Sequence, residues 1–286
     1  MTSTYATGRF TAAAIRSRPR SNAELTSQLL LGEPVLLLEE GREFSRVQCC
    51  DDDFEGYVRS DQLLKVDEAT YRRQRDNPAF ALELYTSMLS DRFGLPVTFG
   101  ARLPDYDGLR LRHGNQRFSY SGQAALSEDL RTDADLIIRL ARKWLFSPEL
   151  TGGRTPTGID AASLIQLVAR LINFKLPRTA EAMSHHGRTV DFVVQCQPAD
   201  LAFFDDAKGK ITHVGLMLPG SQVLHVNDRV RIDAIDHYGI FNYEVGRYTH
   251  RLRIVKRLLA DSEQPNVLLK KTPESPEMDE RQLAIF

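Results

Sequence analysis

Cysteine is scarce in this chain. Its 286 residues hold three, Cys49, Cys50 and Cys196. Two are adjacent and none are spaced C-x-x-C, which argues against both a disulfide framework and a thiolate metal site. Free thiols of this kind fit a reducing compartment. Gly (18) and Pro (13) are too few for a low-complexity chain. No window approaches the roughly 18 consecutive apolar residues of a membrane span. Met1 to Arg20 contains no apolar stretch of signal-peptide length. A surplus of one charge is also missing. Lys+Arg total 37 against 38 Asp+Glu, so the basic excess of a nucleic-acid-binding protein is absent.

What is present is an ordinary globular composition, 42% hydrophobic and 26% charged, long enough for about two or three domains. Residues 1–68 read as short strands: Leu29 to Leu31, Val35 to Leu38, Phe44 to Cys49 and Gly56 to Val58, broken by Glu39-Glu40-Gly41 and Asp51-Asp52-Asp53. That spacing predicts a small barrel. Residues 69–127 read as a second small β unit, with a helix at Phe80 to Leu89 as the competing assignment. The charge run Tyr71 to Asp76 opening that segment reads as a solvated linker.

From residue 128 to 258 the pattern is helices first, then strands. Ile137, Leu140, Ala141 and Trp144 recur at helical spacing. Ala161, Leu164, Ile165, Val168, Leu171 and Ile172 form one apolar face, with Asp160 placed as its N-cap. A short helix is expected over Thr179 to Met183, and His185-His186-Gly187 reads as its end. Strands are expected at Leu201–Phe204, Ile211–Leu218, Val223–Val226, Val230–Ile232 and Leu252–Val255. This order belongs to an α+β domain with an antiparallel sheet. Residues 259–286 read as a polar tail, whose Leu283 to Phe286 is apolar enough to dock on a surface.

The first turn of a helix is the positive end of its dipole, where a thiol becomes a better nucleophile. The first turn after Asp160 is therefore a natural catalytic position if a sheet supplies a base. His213 and His225 lie on successive predicted strands. A loop at Leu218 to Gly220 pairs Met217 with Ser221 and puts His213 opposite His225, on one face. One histidine then orients the other, as base and orienter do in a triad.

Several motifs in order carry a resemblance. G-I-D-A-A-S-L-I-Q at Gly158 to Gln166, L-P-R-T-A at Leu176 to Ala180, P-A-D-L-A-F-F at Pro198 to Phe204 and I-T-H-V-G-L-M-L at Ile211 to Leu218 resemble the NlpC-type cell-wall cysteine peptidases. The members it most resembles are γ-D-glutamyl-L-diamino acid endopeptidases, which cut peptidoglycan stem peptides. The resemblance covers roughly residues 10–258; Glu24 to Pro34 and Asp52 to Val58 are similar to the first bacterial SH3-like domain of such proteins. It implies one or two SH3-like barrels followed by a papain-like α+β domain. It also implies a Cys at a helix N-terminus, a His on a strand and a third polar residue on the next; His213 and His225 match the last two.

The family pattern G-I-D-C-S-G-L is here G-I-D-A-A-S-L, so Ala161 stands at the nucleophile position. Alanine has no nucleophilic atom. The neighbours Ala162 and Ser163 also depart, and Leu150-Thr151-Gly152-Gly153 replaces the family's Y-x-W-G-G. Phe54 stands where the family tends to have Tyr. Together these departures read as a natural pseudoenzyme that binds a stem peptide, a muropeptide or a protein partner. An active peptidase altered from Cys to Ala, and a scaffold with a closed site, are the alternatives. The resemblance implies substrate-binding roles for Asp160, Ala162 and Phe54, with Asp160 holding the free amine of the stem peptide; an N-cap alone also explains Asp160. Ser163 points about 200° away from Ala161 around the helix and is no substitute nucleophile. Cys196 reads as a structural thiol. No cofactor and no metal are expected; a zinc site of two His and an Asp is weighed and set aside, because no spacing demands it. The compartment expected is the cytoplasm, or the periplasm or exterior if a leader has been trimmed.

Overall fold

The computed structural model describes residues 4–191 and 195–259. Apart from Leu259, the expected tail and its Leu283 to Phe286 lie outside the described residues.

The first barrel comprises β1 (Tyr5–Gly8), β2 (Ala12–Arg16), β3 (Leu25–Leu30), β4 (Pro34–Glu39), β5 (Phe44–Cys49), β6 (Glu55–Arg59) and β7 (Leu63–Val66), in the sheet order β3-β2-β6-β5-β4-β1-β7. All its pairings are antiparallel. Ala13, Ile15, Leu29, Val35, Val47 and Val58 fill its small core. This is the SH3-like barrel expected at the N-terminus.

The charge run is a helix rather than a linker: α1 spans Glu68–Asp76. Asp67 caps it by accepting from Thr70 N, Glu68 pairs with Arg72 one turn on, and Tyr71 turns inward to pack on Tyr5 with ring centroids 4.6 Å apart. A cap, an i,i+4 pair and one buried aromatic suffice to order a charged segment.

The strand reading of Phe80 to Leu89 holds. β8 (Ala79–Ala81) and β9 (Tyr85–Leu89) lie there, followed by β10 (Gly94–Thr98), β11 (Arg110–His113), β12 (Gln116–Tyr120) and β13 (Ala124–Leu126). They form a sheet β10-β9-β12-β11 and a ladder β13-β8. Their buried side chains share one core with the helical layer beyond, as where Phe99 meets Trp144 edge-on at 5.3 Å.

That layer contains α2 (Ala134–Arg142), α3 (Ala161–Arg170) and α4 (Ala180–Met183), capped by Asp133, Asp160 and Thr179. The hairpin of β14 (Arg154–Thr155) and β15 (Gly158–Ile159) precedes α3. The last sheet runs β16 (Arg188–Val190), β22 (Arg247–Arg257), β17 (Leu201–Asp205), β18 (Ile211–Leu218), β19 (Gln222–Asn227), β20 (Arg229–Ile235) and β21 (Gly239–Asn242). Because β21 also pairs with β22, six of these strands close a barrel. Alternation splits its side chains. Val214, Leu216, Leu218, Leu224 and Val226 face the core shared with α3, while Phe204, Met217, Val223, Ile235, Ile240 and Val255 fill the interior.

A buried ion cluster joins the first barrel to the C-terminal part. Glu33, beside β4, receives Arg154 in a bidentate pair at 2.8 and 2.9 Å and Arg170 Nη1 at 2.7 Å. Its Oε2 also accepts from Leu30 N at 2.8 Å. Arg170 continues to Asp51 at 3.2 Å, and Arg102 holds the other oxygen of Asp51. Both guanidinium groups lie near the Phe80 ring, 5.6 Å (Arg102) and 5.9 Å (Arg170) from its centroid. Gln166 Nε2 donates to Asp52 at 2.7 Å, so the Asp51–Asp53 turn is seated on α3. Gly152, at φ +78, brings its loop against β3 so closely that a Cβ would fall 2.4 Å from Leu25 O.

Burial pushes the Glu33 carboxyl up, but Arg154 and Arg170 outweigh it and hold the group at about 2. Its folded value lies below its unfolded one, so this stabilisation is complete above about pH 4.5 and fades as pH falls toward 2. Glu33→Ala leaves two buried cations short of a partner and is expected to cost roughly 3–5 kcal/mol in urea unfolding. In acid unfolding followed by circular dichroism, Glu33→Gln is expected to lose less stability than the parent below pH 4.5.

Candidate functional site

α3 starts at Asp160 because the carboxylate caps it: Asp160 Oδ1 accepts from Ser163 N at 2.7 Å. The same carboxylate does more. Arg178 Nη1 reaches Oδ1 at 3.2 Å, Arg178 Nη2 reaches Oδ2 at 2.6 Å, and Gly152 N donates to Oδ2 at 2.9 Å. Four donors occupy the roughly four acceptor positions of a carboxylate. Arg178 Nε in turn donates to Ser27 Oγ of the first barrel at 2.9 Å. In this arrangement Asp160 has no acceptor position left for an incoming amine. Arg178 lies in the L-P-R-T-A motif, yet its role as partner of Asp160 was missed, because only folding brings two residues 18 positions apart to one helix end.

Ala161 is the first residue of α3, and Ala162 follows it; both methyl groups are buried in the core that α3 shares with β18. Ser163 is fully buried, and its Oγ has no hydrogen-bond partner among the described residues. Phe54 packs on the core of the first barrel, just after the turn seated on α3. Burial raises all three thiols: Cys49 well above its ordinary value, Cys50 to about 12 and Cys196 to about 11. Arg257 is close enough to Cys196 to pull in the other direction without reversing it, a basic neighbour that sequence order did not show.

His213 and His225 do come together. Nε2 of His213 lies 3.1 Å from Nδ1 of His225, at 88° between ring planes. The register that achieves this differs from the expected one. Met217 pairs with Val223, not Ser221, and the loop is Pro219-Gly220-Ser221, with Gly220 and Ser221 at positive φ. Continued along the strands, this ladder sets Gly215, not His213, opposite His225, and a Cβ on Gly215 would lie 3.3 Å from that of His225. The partner shifts by two residues, so both rings keep the same face, and the glycine leaves room for them to meet diagonally. That face looks into the barrel, where His213 pairs across the sheet with Phe204.

Three further residues complete the cluster and were not foreseen. Asp233 on β20 takes His225 Nε2 at 3.0 Å. Arg231 clamps Asp233 in a bidentate pair at 2.7 and 2.9 Å and reaches Glu244 at 2.8 Å. His250 on β22 stacks on His213, centroids 4.2 Å apart at 27°. The alternation of Arg229-Val230-Arg231-Ile232-Asp233 after a tight turn was the available signal for Asp233; nothing local marked His250.

The network sets the proton positions. Asp233 accepts the Nε2 proton of His225, whose Nδ1 then accepts from His213, leaving Nδ1 of His213 as the basic atom. Burial, then His250 and His225, hold His213 well below the usual histidine range. Burial opposes the charge on Asp233, but the bonds from His225 and Arg231 keep it ionised below its ordinary value. The result is an oriented neutral base beside an ion pair, the arrangement by which a triad activates a nucleophile. The first residue of α3 is Ala161.

A closed six-stranded barrel, a capped helix packed on it and a His–His–Asp relay define the class: a cysteine-peptidase-like domain behind an SH3-like barrel. The bacterial dipeptidyl-peptidase SH3 domain family matches residues 15–63, and the NlpC/P60 family matches residues 150–247. The chain thus carries an SH3-like domain followed by an NlpC/P60 domain. It is 29% identical over 112 residues to the γ-D-glutamyl-L-lysine dipeptidyl-peptidase of Bacillus subtilis, covering 38% of each chain. It is 27% identical over 120 residues to a probable endopeptidase of Mycobacterium tuberculosis, covering 41% of this chain and 30% of that one. The matches thus span well under half the length of these curated relatives. An NlpC/P60 family protein of Bacillus cereus has the same fold, with a TM-score of 0.76 at 18% identity over 90% of this chain and all of that one. Among the described residues no helix is long and apolar enough to cross a membrane.

If Asp160 were only a cap, Asp160→Ala would cost about 1 kcal/mol. Because it also neutralises the buried Arg178, the expected loss in urea unfolding is roughly 3–5 kcal/mol.

Proposed function

We propose that this chain is a non-hydrolysing NlpC/P60 protein that binds a peptidoglycan stem peptide. The observation that carries the reading is Ala161 at the opening of α3, in a domain that keeps an ordered His213–His225–Asp233 relay. A relay that orients a base does no covalent work without an atom to deprotonate. Neither Ser163, sealed in the core, nor the three thiols, raised by burial, offers a substitute. The NlpC/P60 match over residues 150–247 supports a cell-wall peptide as the ligand class. Two open clefts flank the exposed edge of His250, one lined by Asp205, Tyr238, Tyr248 and Arg251, the other by Asn227, Asn242, Arg247 and Tyr248. Their aromatic and charged walls suit a short peptide with free carboxylates. Capture of the stem-peptide amine by Asp160 is not part of this reading, since Arg178 and two backbone N–H groups already fill that carboxylate.

Peptides of the form L-Ala-γ-D-Glu-diamino acid are expected to bind in calorimetric titration and to show no turnover by chromatography. The absence of a nucleophile typically costs on the order of a millionfold in rate. Ala161→Cys alone is expected to restore little, because Ala162 and the occupied Asp160 remain. Robust hydrolysis by that single variant, or a lack of any titration heat with the peptides, would overturn the proposal.

A further inference from the structure

The relay accounts for two imidazoles; the barrel holds three. His213 from β18, His225 from β19 and His250 from β22 each present a ring nitrogen, and the three nitrogens lie within 4.8 Å of one another. Nitrogens sharing a tetrahedral zinc at about 2.0–2.1 Å stand about 3.3 Å apart. The His213–His225 separation of 3.1 Å is already close to that. His250 has its Nδ1 held by Thr249 Oγ1 at 2.9 Å, which leaves Nε2 as the ring's other nitrogen. Thr249 falls at the register shift between β21 and β22, where the strand has slack to let the ring close.

The surroundings are those of a ligand set. His213 and His225 are buried and His250 is partly exposed, so the three nitrogens converge at the wall of the barrel rather than in open solvent. His225 donates its far nitrogen to Asp233, and Arg231 locks that carboxylate. A carboxylate behind a ligating imidazole fixes its tautomer and raises its basicity. The two clefts beside His250 provide the way in.

We propose that His213, His225 and His250 form a binding site for one zinc ion or a similar late first-row divalent cation, with Asp233 orienting His225 and a fourth position facing the clefts. On binding, the proton between Nε2 of His213 and Nδ1 of His225 moves to Nδ1 of His213, and the cation takes the space between the rings. The site shares His213, His225, Asp233 and the two clefts with the stem-peptide reading, but metal binding does not require that a peptide bind.

The test uses the full chain, stripped with a chelator. Co²⁺ is titrated by visible absorption, and Zn²⁺ in competition with a chromophoric chelator. One equivalent with a tetrahedral cobalt spectrum is expected. Asp233→Asn should weaken binding by about 10–100-fold, and His250→Ala by at least that much. The exposed pair His185 and His186 is the control: the double variant His185→Ala, His186→Ala should bind as the parent does. Thermal melting without metal checks that each variant is folded, and His250→Gln replaces His250→Ala should the latter unfold. No bound equivalent, unchanged affinity in the folded His250 variant, or loss of binding in the His185/His186 variant would overturn the site.

Discussion

Glu33 is the group on which the arrangement of this molecule turns. It sits beside a strand of the first barrel, yet three of its four bonds go to arginines that belong to the C-terminal part. Arg154 precedes α3 by one hairpin and Arg170 ends it, so one carboxylate grips the catalytic-type helix from both ends. A buried pair of this kind adds little net stability over an apolar packing, but losing one member is severe. Its effect is therefore to make the orientation of the two parts specific. Asp51, Asp52 and Gln166 extend the same lock along the helix.

Asp160 and Arg178 repeat this logic at the start of the helix. The carboxylate caps α3, ties down the Gly152 loop and, through Arg178, reaches Ser27 of the first barrel. A residue that the resemblance led us to expect at a ligand is here part of the interface. The relay inside the barrel has kept its order for a different reason. His213, His225, Asp233 and Arg231 are each other's hydrogen-bond partners in a buried site, and removing one leaves the next unsatisfied. Such a network persists structurally even where α3 opens with a methyl group.

Much of the site was legible in the sequence. The helix over Ala161, its cap at Asp160, the strand Ile211–Leu218 and the shared face of His213 and His225 all follow from local rules: a capping residue, a 3.6-residue period and a two-residue period. The face survived an error in register because the loop moved by a whole side-chain repeat. The helix at Glu68–Asp76 was hidden, since its order comes from Tyr71 packing on a strand more than sixty residues earlier. Strands β1, β2, β7, β16 and β21 were passed over for a similar reason: short segments with little pattern of their own are strands because a neighbour offers a hydrogen-bonding edge.

What the chain determined by itself is therefore the alanine at the head of α3 and its setting. The identity of residue 161 is a covalent fact, and the pattern around it marks the helix and the strands. Tertiary structure alone decided which charges meet. Arg178 lies 18 residues from Asp160, Arg154 more than a hundred from Glu33, and His250 about 25 from His225. Local periodicity carries no information about such pairings, because they depend on how strands close a barrel and how two cores dock. Burial then makes these meetings consequential, by removing the water that would otherwise screen each charge and satisfy each ring nitrogen.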